Sequence, residues 1–267
     1  MVLQMANTLP REKQMLLLAL PAELLIIIFG SIPSFVDAAH LAQTCKSLNK
    51  IWKQHLAPIY NLIAPSAIPC HRDLRGLLAV QGHLALDAPV IATQDIARVV
   101  ETSKNGAKLI DAYHEEMERT GYLHDPQVPL VLSPSEETRF LQAHYQLWAL
   151  LLLDKDQLEQ RIDTMPLEQS FLLSDFLCVF FHRQIDDPEF QKRCNEPGWP
   201  VNRLQKRLRA QRNRDFTRLH GVNYRPVEFT PWERNGRYAW WCDRQQELFK
   251  KMLTGTLFDK EDRGNRE

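Results

Sequence analysis

The sequence predicts an all-α protein in which a three-helix N-terminal domain is followed by an irregular helical bundle with long loops. Three observations lead to this prediction. Apolar residues recur at spacings of three and four along most of the chain, which is the period of an amphipathic helix. The alternating pattern of a strand is weak throughout. Two segments with three prolines each, 124–134 and 186–202, separate the later periodic stretches and are interpreted as loops.

The first helix is predicted to begin at Pro21, because a proline at the first helical position loses no hydrogen bond. Glu23 follows in the first turn, where a carboxylate interacts favourably with the helix dipole. One apolar face is formed by Leu24, Leu25, Ile28, Phe29 and Ile32. Ile26 and Ile27 lie off this face, so the helix is apolar nearly all round. Gly30 is expected to mark its end.

Two further short helices are predicted before residue 60. Asp37 is interpreted as the N-cap of the second and Thr44 as the N-cap of the third. The third carries its apolar residues at helical spacing, namely Leu48, Ile51, Trp52, Leu56 and Ile59. Pro58 is expected to kink or end it. So small a unit is expected to need more surface to cover it, from the rest of the chain or from another protein.

The remaining residues predict several more helices. A short one is expected around 74–78, and 96–117 predicts either two helices or one interrupted near Asn105-Gly106. Ser133, Pro134 and Glu136 together predict a helix start, with Ser133 as the cap and Glu136 as its capping-box partner. Another strongly apolar helix is expected over 167–185. The predicted domains are an extension (1–17), the three-helix domain (18–65), a helical domain (66–256) and a flexible tail (257–267).

The three-helix domain resembles an F-box. The resemblance is carried by Leu20-Pro21-x-Glu23-Leu24-Leu25-x-x-Ile28-Phe29-x-x-Ile32, then Asp37-x-x-x-Leu41-x-x-x-Cys45-Lys46, then Ile51-Trp52, in that order. It covers roughly residues 18–60, and the helical remainder resembles that of small fungal F-box proteins. The resemblance implies docking onto a Skp-type adaptor of a cullin ubiquitin ligase. It assigns the docking contacts to Leu20, Pro21, Leu24, Leu25, Ile28, Phe29, Cys45 and Trp52.

An adaptor of this kind presents a protein substrate and needs no catalytic residue, cofactor or metal of its own. The alternative is a helical scaffold or an unrecognised enzyme, in which residues 18–60 pack only against their own chain. A third alternative binds the Skp-type protein without joining a cullin. If the N-terminal unit only packs internally, its Leu24/Ile28/Phe29 surface should be covered by the chain itself.

The composition disfavours several other classes of protein. Lys plus Arg equals Asp plus Glu at 33 each, so no overall charge draws the chain to nucleic acid or to an anionic membrane. No apolar run approaches the ~20 residues of a membrane span. The five cysteines are odd in number and form no CxxC, which predicts a reduced, intracellular protein of the cytoplasm, the nucleus or both.

Three weaker signals allow two interpretations each. Arg203–Arg218 holds seven basic residues, which fit a nuclear signal or nucleic-acid patch, although a solvated helix face is favoured. The aromatic residues of 226–249 fit core packing better than partner recognition. Cys178 and His182 share a helix spacing, but with Cys194 and Cys242 they match no standard zinc pattern. No HExxH, GxSxG or glycine-rich phosphate loop occurs.

Overall fold

The all-α prediction is confirmed. The computed structural model describes residues 19–86, 91–120, 131–183 and 201–220, together with Lys192, Asp243, Gln246 and Lys250. These residues form ten helices and no strand. The helices are α1 (Ala22–Gly30), α2 (Phe35–Gln43), α3 (Lys46–Gln54), α4 (Leu56–Ala67), α5 (His71–Val80), α6 (Thr93–Thr120), α7 (Pro134–Leu151), α8 (Lys155–Asp163), α9 (Leu167–Arg183) and α10 (Val201–His220).

Several predictions lie outside the described residues. They are the extension at 1–17, most of the loops at 124–134 and 186–202, most of the aromatic segment at 226–249, and the tail at 257–267. The side chains of Cys178, His182, Cys194 and Cys242 lie outside them as well.

The described residues fall into two compact units. The first lies within the ranges Met1–His71 and Asp87–Ser103, and the second within Arg72–Leu86 and Lys104–Glu267. The first unit therefore extends beyond residue 65 and takes in a segment that the sequence assigns to the C-terminal domain. The functional boundary at residue 65 remains a prediction.

The helix caps of the first unit differ by a few residues from those predicted. Pro21 is the N-cap of α1 rather than its first helical residue, and its carbonyl accepts from the Leu24 and Leu25 N–H groups at 3.1 and 3.2 Å. Helix α2 is capped by Ser34, whose Oγ accepts from the Asp37 N–H at 3.1 Å. The predicted cap Asp37 thus lies in the first turn, where its carboxylate accepts from Ser34 Oγ at 2.6 Å. Ser34 therefore satisfies one orphan N–H group of a helix that begins earlier than predicted.

A fourth helix follows the three predicted ones in the first unit. Helix α3 ends at Gln54, and α4 begins at Leu56, so Pro58 lies in the first turn of a new helix rather than in the interior of a long one. A first-turn proline costs no hydrogen bond, since that N–H has no intrahelical partner. Helix α4 packs against α1, with Ile59, Ile63 and Ala64 fully buried. Part of the surface that covers α1 therefore comes from the chain itself.

The absence of a side chain at Gly30 allows α1 to pack closely against α4. A Cβ at Gly30 would lie 2.6 Å from the Leu62 Cβ and 2.5 Å from its Cδ1. We expect Gly30→Ala to destabilise the protein by about 1–3 kcal/mol, because the two helices must separate. The measurement is thermal unfolding followed by circular dichroism. Gly76→Ala is the matched control: nothing lies within 4 Å of its Cβ, so alanine should stabilise α5 by up to about 1 kcal/mol. Equal shifts in the two variants would contradict this packing account.

Helix α6 is continuous, and the predicted interruption near Asn105-Gly106 is wrong. Gly106 lies within the helix, at a point where side chains of α7 come close to it. A Cβ there would collide with the Tyr145 hydroxyl and would lie 3.0 Å from a Leu141 methyl. The glycine signals close helix packing rather than a break.

The second unit is built around α7 and α9. Phe140 and Phe176 are buried at a centroid separation of 5.0 Å, and Tyr113 of α6 adds a ring 5.1 Å from Phe140. Helix α7 begins as predicted, with Ser133 as N-cap, Pro134 in the first turn and a complete capping box to Glu136. Helix α8 was not predicted; it is capped by Asp154 and buries Leu158 and Ile162.

Candidate docking surface

The eight predicted docking residues divide into an interior group and a surface group. Leu25, Phe29 and Trp52 are buried within the first unit. The Phe29 and Trp52 rings lie 5.7 Å apart, which joins α1 to α3. These three side chains therefore stabilise the arrangement of the helices, and in this conformation they present almost no surface to a partner.

The surface group lies at the start and along the outer face of α1. Leu20 and Ile28 are half-buried, Pro21 is exposed, and Leu24 is 45% exposed. Leu24 and Ile28 are four residues apart and so lie on the same side of the helix. Because Leu24 stays exposed, the chain itself covers only part of the Leu24/Ile28/Phe29 surface.

Cys45 has a local structural role that the sequence did not reveal. Its Sγ accepts from the Leu48 N–H at 3.5 Å, so Cys45 rather than the predicted Thr44 caps α3. Thr44 instead donates through its hydroxyl to the Leu41 carbonyl at 2.7 Å. The Cys45 side chain is half-buried.

Two exposed residues extend this surface beyond the prediction. Ile27 is 59% exposed and Leu62 of α4 is 49% exposed. Leu24, Ile27 and Gly30 follow one another at intervals of three on α1, and Leu62 lies against Gly30. Leu24, Ile27 and Leu62, three exposed aliphatic residues of α1 and of the adjacent part of α4, are called here the α1 stripe. Ile27 was visible as an off-face residue, whereas nothing in the motif pointed to Leu62.

The α1 stripe can bind by burial of apolar surface alone. Each large aliphatic side chain that is removed from water contributes roughly 1.5–3 kcal/mol. Beyond the first turn, the backbone polar groups of α1 are paired within the helix, so an apolar partner surface does not leave them unsatisfied. The α1 stripe consists of aliphatic side chains, which suit it to binding another apolar surface.

A part-buried chain of hydrogen bonds joins α5, α7 and α9. Asp73 of α5 accepts from Gln146 at 2.6 Å, and Gln146 in turn accepts from Gln169 of α9 at 2.9 Å. Burial raises the pKa of the Asp73 carboxyl. No group of three or more metal-ligating side chains occurs in the part of the chain that the structure describes. Within the same part, no helix combines the length and apolarity that a membrane span requires.

Part of the basic run at 203–218 holds helices together. Arg207 lies 3.7 Å from the Glu159 carboxylate, Arg214 lies 2.7 Å from Asp163, and the Arg212 guanidinium lies 4.8 Å from the centre of the Phe171 ring. These contacts join α10 to α8 and α9, which favours the interpretation of this run as a helix face over that of a dedicated recognition patch.

A second polar cluster lies at the start of α7. The Asp243 carboxylate accepts from the Ser133 hydroxyl at 2.8 Å, from the Ser135 hydroxyl at 2.7 Å and from the Arg139 guanidinium. The Asp243 N–H donates to Glu136 Oε1 at 2.9 Å. Residue 243 is thereby tied to a helix more than one hundred residues earlier in the chain. We call Ser133, Ser135, Arg139 and Asp243 the α7 clasp.

Because of the α7 clasp, the stability of the protein should depend on pH. The hydrogen bonds from Arg139 above all, and from Ser135 and Ser133, lower the pKa of Asp243 to about 2. An unfolded aspartate has a pKa near ~3.9. The stabilisation is therefore complete above pH ~4 and is lost as the pH falls through about 2. We expect Asp243→Asn to reduce stability in urea unfolding at pH 6 and to have a smaller effect at pH 3. An equal effect at both values would contradict an ionic clasp.

No family model, curated protein or solved structure matches the chain. The case for a function therefore rests on the residues of α1 and on the sequence motif that contains them.

Proposed function

We propose that this chain is an F-box substrate adaptor. Its N-terminal helices dock a Skp-type adaptor of a cullin ubiquitin ligase, and its helical remainder presents a protein substrate in the cytoplasm or the nucleus. The observation that carries the proposal is the exposed apolar side of α1: Leu24 is 45% exposed and Ile27 is 59% exposed, within the stretch that resembles the F-box.

The division between interior and surface residues supports this proposal. Leu25, Phe29 and Trp52 pack together and fix α1 in place, while Pro21 and Leu24 stay accessible. A rigid helix that holds out aliphatic side chains loses little conformational entropy on binding, which favours affinity. In a folded protein, exposed apolar side chains that lie next to one another on a helix, as Leu24 and Ile27 do, fit an interaction surface.

The first test is co-purification of the full chain with a Skp-type adaptor. We expect the wild-type chain to retain the adaptor and the double variant Leu20→Ala/Pro21→Ala to lose at least about tenfold in affinity, since it removes two apolar contacts at the start of α1. Thermal unfolding of both chains serves as the control for folding. A folded wild-type chain that retains no adaptor would sink the proposal.

A helical scaffold without a ligase role is the second candidate. The internal packing of Phe29 and Trp52 favours it, because the first unit already buries much of its own apolar surface. Two outcomes separate the candidates. Adaptor binding with ubiquitination of a bound protein supports the ligase adaptor. Adaptor binding without ubiquitin transfer, in a reconstituted reaction with cullin and E2, supports a scaffold that is bound to the Skp-type protein.

A further inference from the structure

Ser133 combines two features that are independent of the docking surface. It precedes Pro134 in the only Ser-Pro dipeptide of the chain. Its backbone is extended, with φ −68° and ψ 161°, as a residue before proline prefers. A Ser-Pro dipeptide is the minimal recognition element of a proline-directed protein kinase. The second feature is that its hydroxyl donates to the carboxylate of Asp243 at 2.8 Å.

We propose that Ser133 is a phosphorylation site of a proline-directed kinase and that the phosphate opens the α7 clasp. The Ser133 Oγ forms a bond to the γ-phosphorus of ATP, the bond from that phosphorus to ADP breaks, and the hydroxyl proton passes to the base of the kinase. The product carries about two negative charges at neutral pH, where the serine carried none.

Three changes then weaken the binding of the Asp243 carboxylate in the clasp. The hydroxyl proton that bound its carboxylate is gone, so one hydrogen bond is lost. The phosphate lies where the carboxylate of Asp243 also lies, and like charges at this distance repel. The phosphate also competes for Arg139, the strongest partner of Asp243, with three acceptor oxygens.

Helix α7 itself is expected to stay intact. A phosphate at the N-cap faces the positive end of the helix dipole and can accept from the N–H of Glu136, which now donates to Ser133 Oγ. The phosphate therefore competes with the Asp243 carboxylate at this helix start, and in the modified state Asp243 is released from the clasp.

The clasp also controls access to Ser133. In the closed state its hydroxyl is held by Asp243 and lies 3.0 Å from the Ser135 hydroxyl, so it is not available to a kinase base. Phosphorylation requires the open state, and the phosphate then prevents closure. Loss of the Asp243 charge should consequently raise the rate of phosphorylation.

The test uses the full chain with Thr230→Ala, which removes the single Thr-Pro dipeptide and leaves Ser133-Pro134 as the target. A purified proline-directed kinase and ATP are added, and the site is mapped by mass spectrometry. We expect phosphate on Ser133, faster incorporation in Asp243→Asn, and none in Pro134→Ala. Hydrogen exchange of the peptide around residue 243 should become about tenfold faster after phosphorylation.

Two results would overturn the proposal. One is the absence of phosphate on Ser133 even in Asp243→Asn, where the hydroxyl is released. The other is phosphorylation at Ser133 that leaves hydrogen exchange around residue 243 unchanged. Neither result bears on adaptor docking, because the α7 clasp contains no residue of the α1 stripe.

Discussion

Replacement of Phe29 by alanine is expected to destabilise the first unit by about 3–5 kcal/mol, which approaches the whole stability of a small unit. Phe29 is fully buried and its ring packs against Trp52, so truncation leaves a cavity between α1 and α3. The measurement is urea unfolding of the full chain, together with hydrogen exchange of α1 to resolve the first unit.

Ile27→Ala is the matched control for this prediction. It shortens an aliphatic side chain on the same helix, but Ile27 is exposed, so its loss should cost no more than about 0.5 kcal/mol. If Phe29→Ala and Ile27→Ala had equal effects, the division of α1 into an interior and a docking side would be wrong.

Leu24→Glu is expected to show the reverse of the Phe29→Ala result, namely a loss of binding without a loss of stability. Stability should change little because Leu24 is on the surface, whereas affinity for a Skp-type adaptor should fall by about 100-fold or more. The reason is that a carboxylate would be buried in an apolar interface without a partner. The measurement is the dissociation constant from isothermal titration calorimetry, with thermal unfolding of the same preparation.

Leu219→Glu controls for the introduced charge. Leu219 lies near the end of α10 and is 54% exposed, much like Leu24, but it belongs to the other unit and lies outside the F-box-like stretch. It should leave adaptor affinity unchanged. A loss of binding in both variants would indicate a general effect of charge rather than a specific docking surface.

The sequence predicts the helices well where their signals are local. The start of α7 is predicted correctly because Ser133, Pro134 and Glu136 all act within one turn. The cap of α2 is missed by three residues because Ser34 and Asp37 are both good caps, and the choice depends on where the chain leaves α1. The interruption predicted at Gly106 was wrong for a related reason. The sequence alone does not distinguish a glycine that breaks a helix from a glycine that lets a neighbouring helix pack closely.

The docking surface could be predicted only in part. Helical spacing identifies the apolar side of α1, but it cannot tell which residues the rest of the chain covers. That depends on α4, whose start at Leu56 was hidden inside a predicted third helix. Helix α1 packs against both α3 and α4; Leu25 and Phe29 are buried, whereas Ile27 and Leu62 stay at the surface. These tertiary contacts separate the interior residues from the stripe.

The most direct test of the docking proposal is a titration observed through methyl groups. The full chain is labelled at isoleucine and leucine methyls, and an unlabelled Skp-type adaptor is added. The account predicts that the signals of Leu24 and Ile27 shift or broaden, while those of Ile63, which is fully buried, and Leu219 change little. A complex that perturbs Leu219 and leaves Leu24 and Ile27 unchanged, or no complex at all, would contradict it.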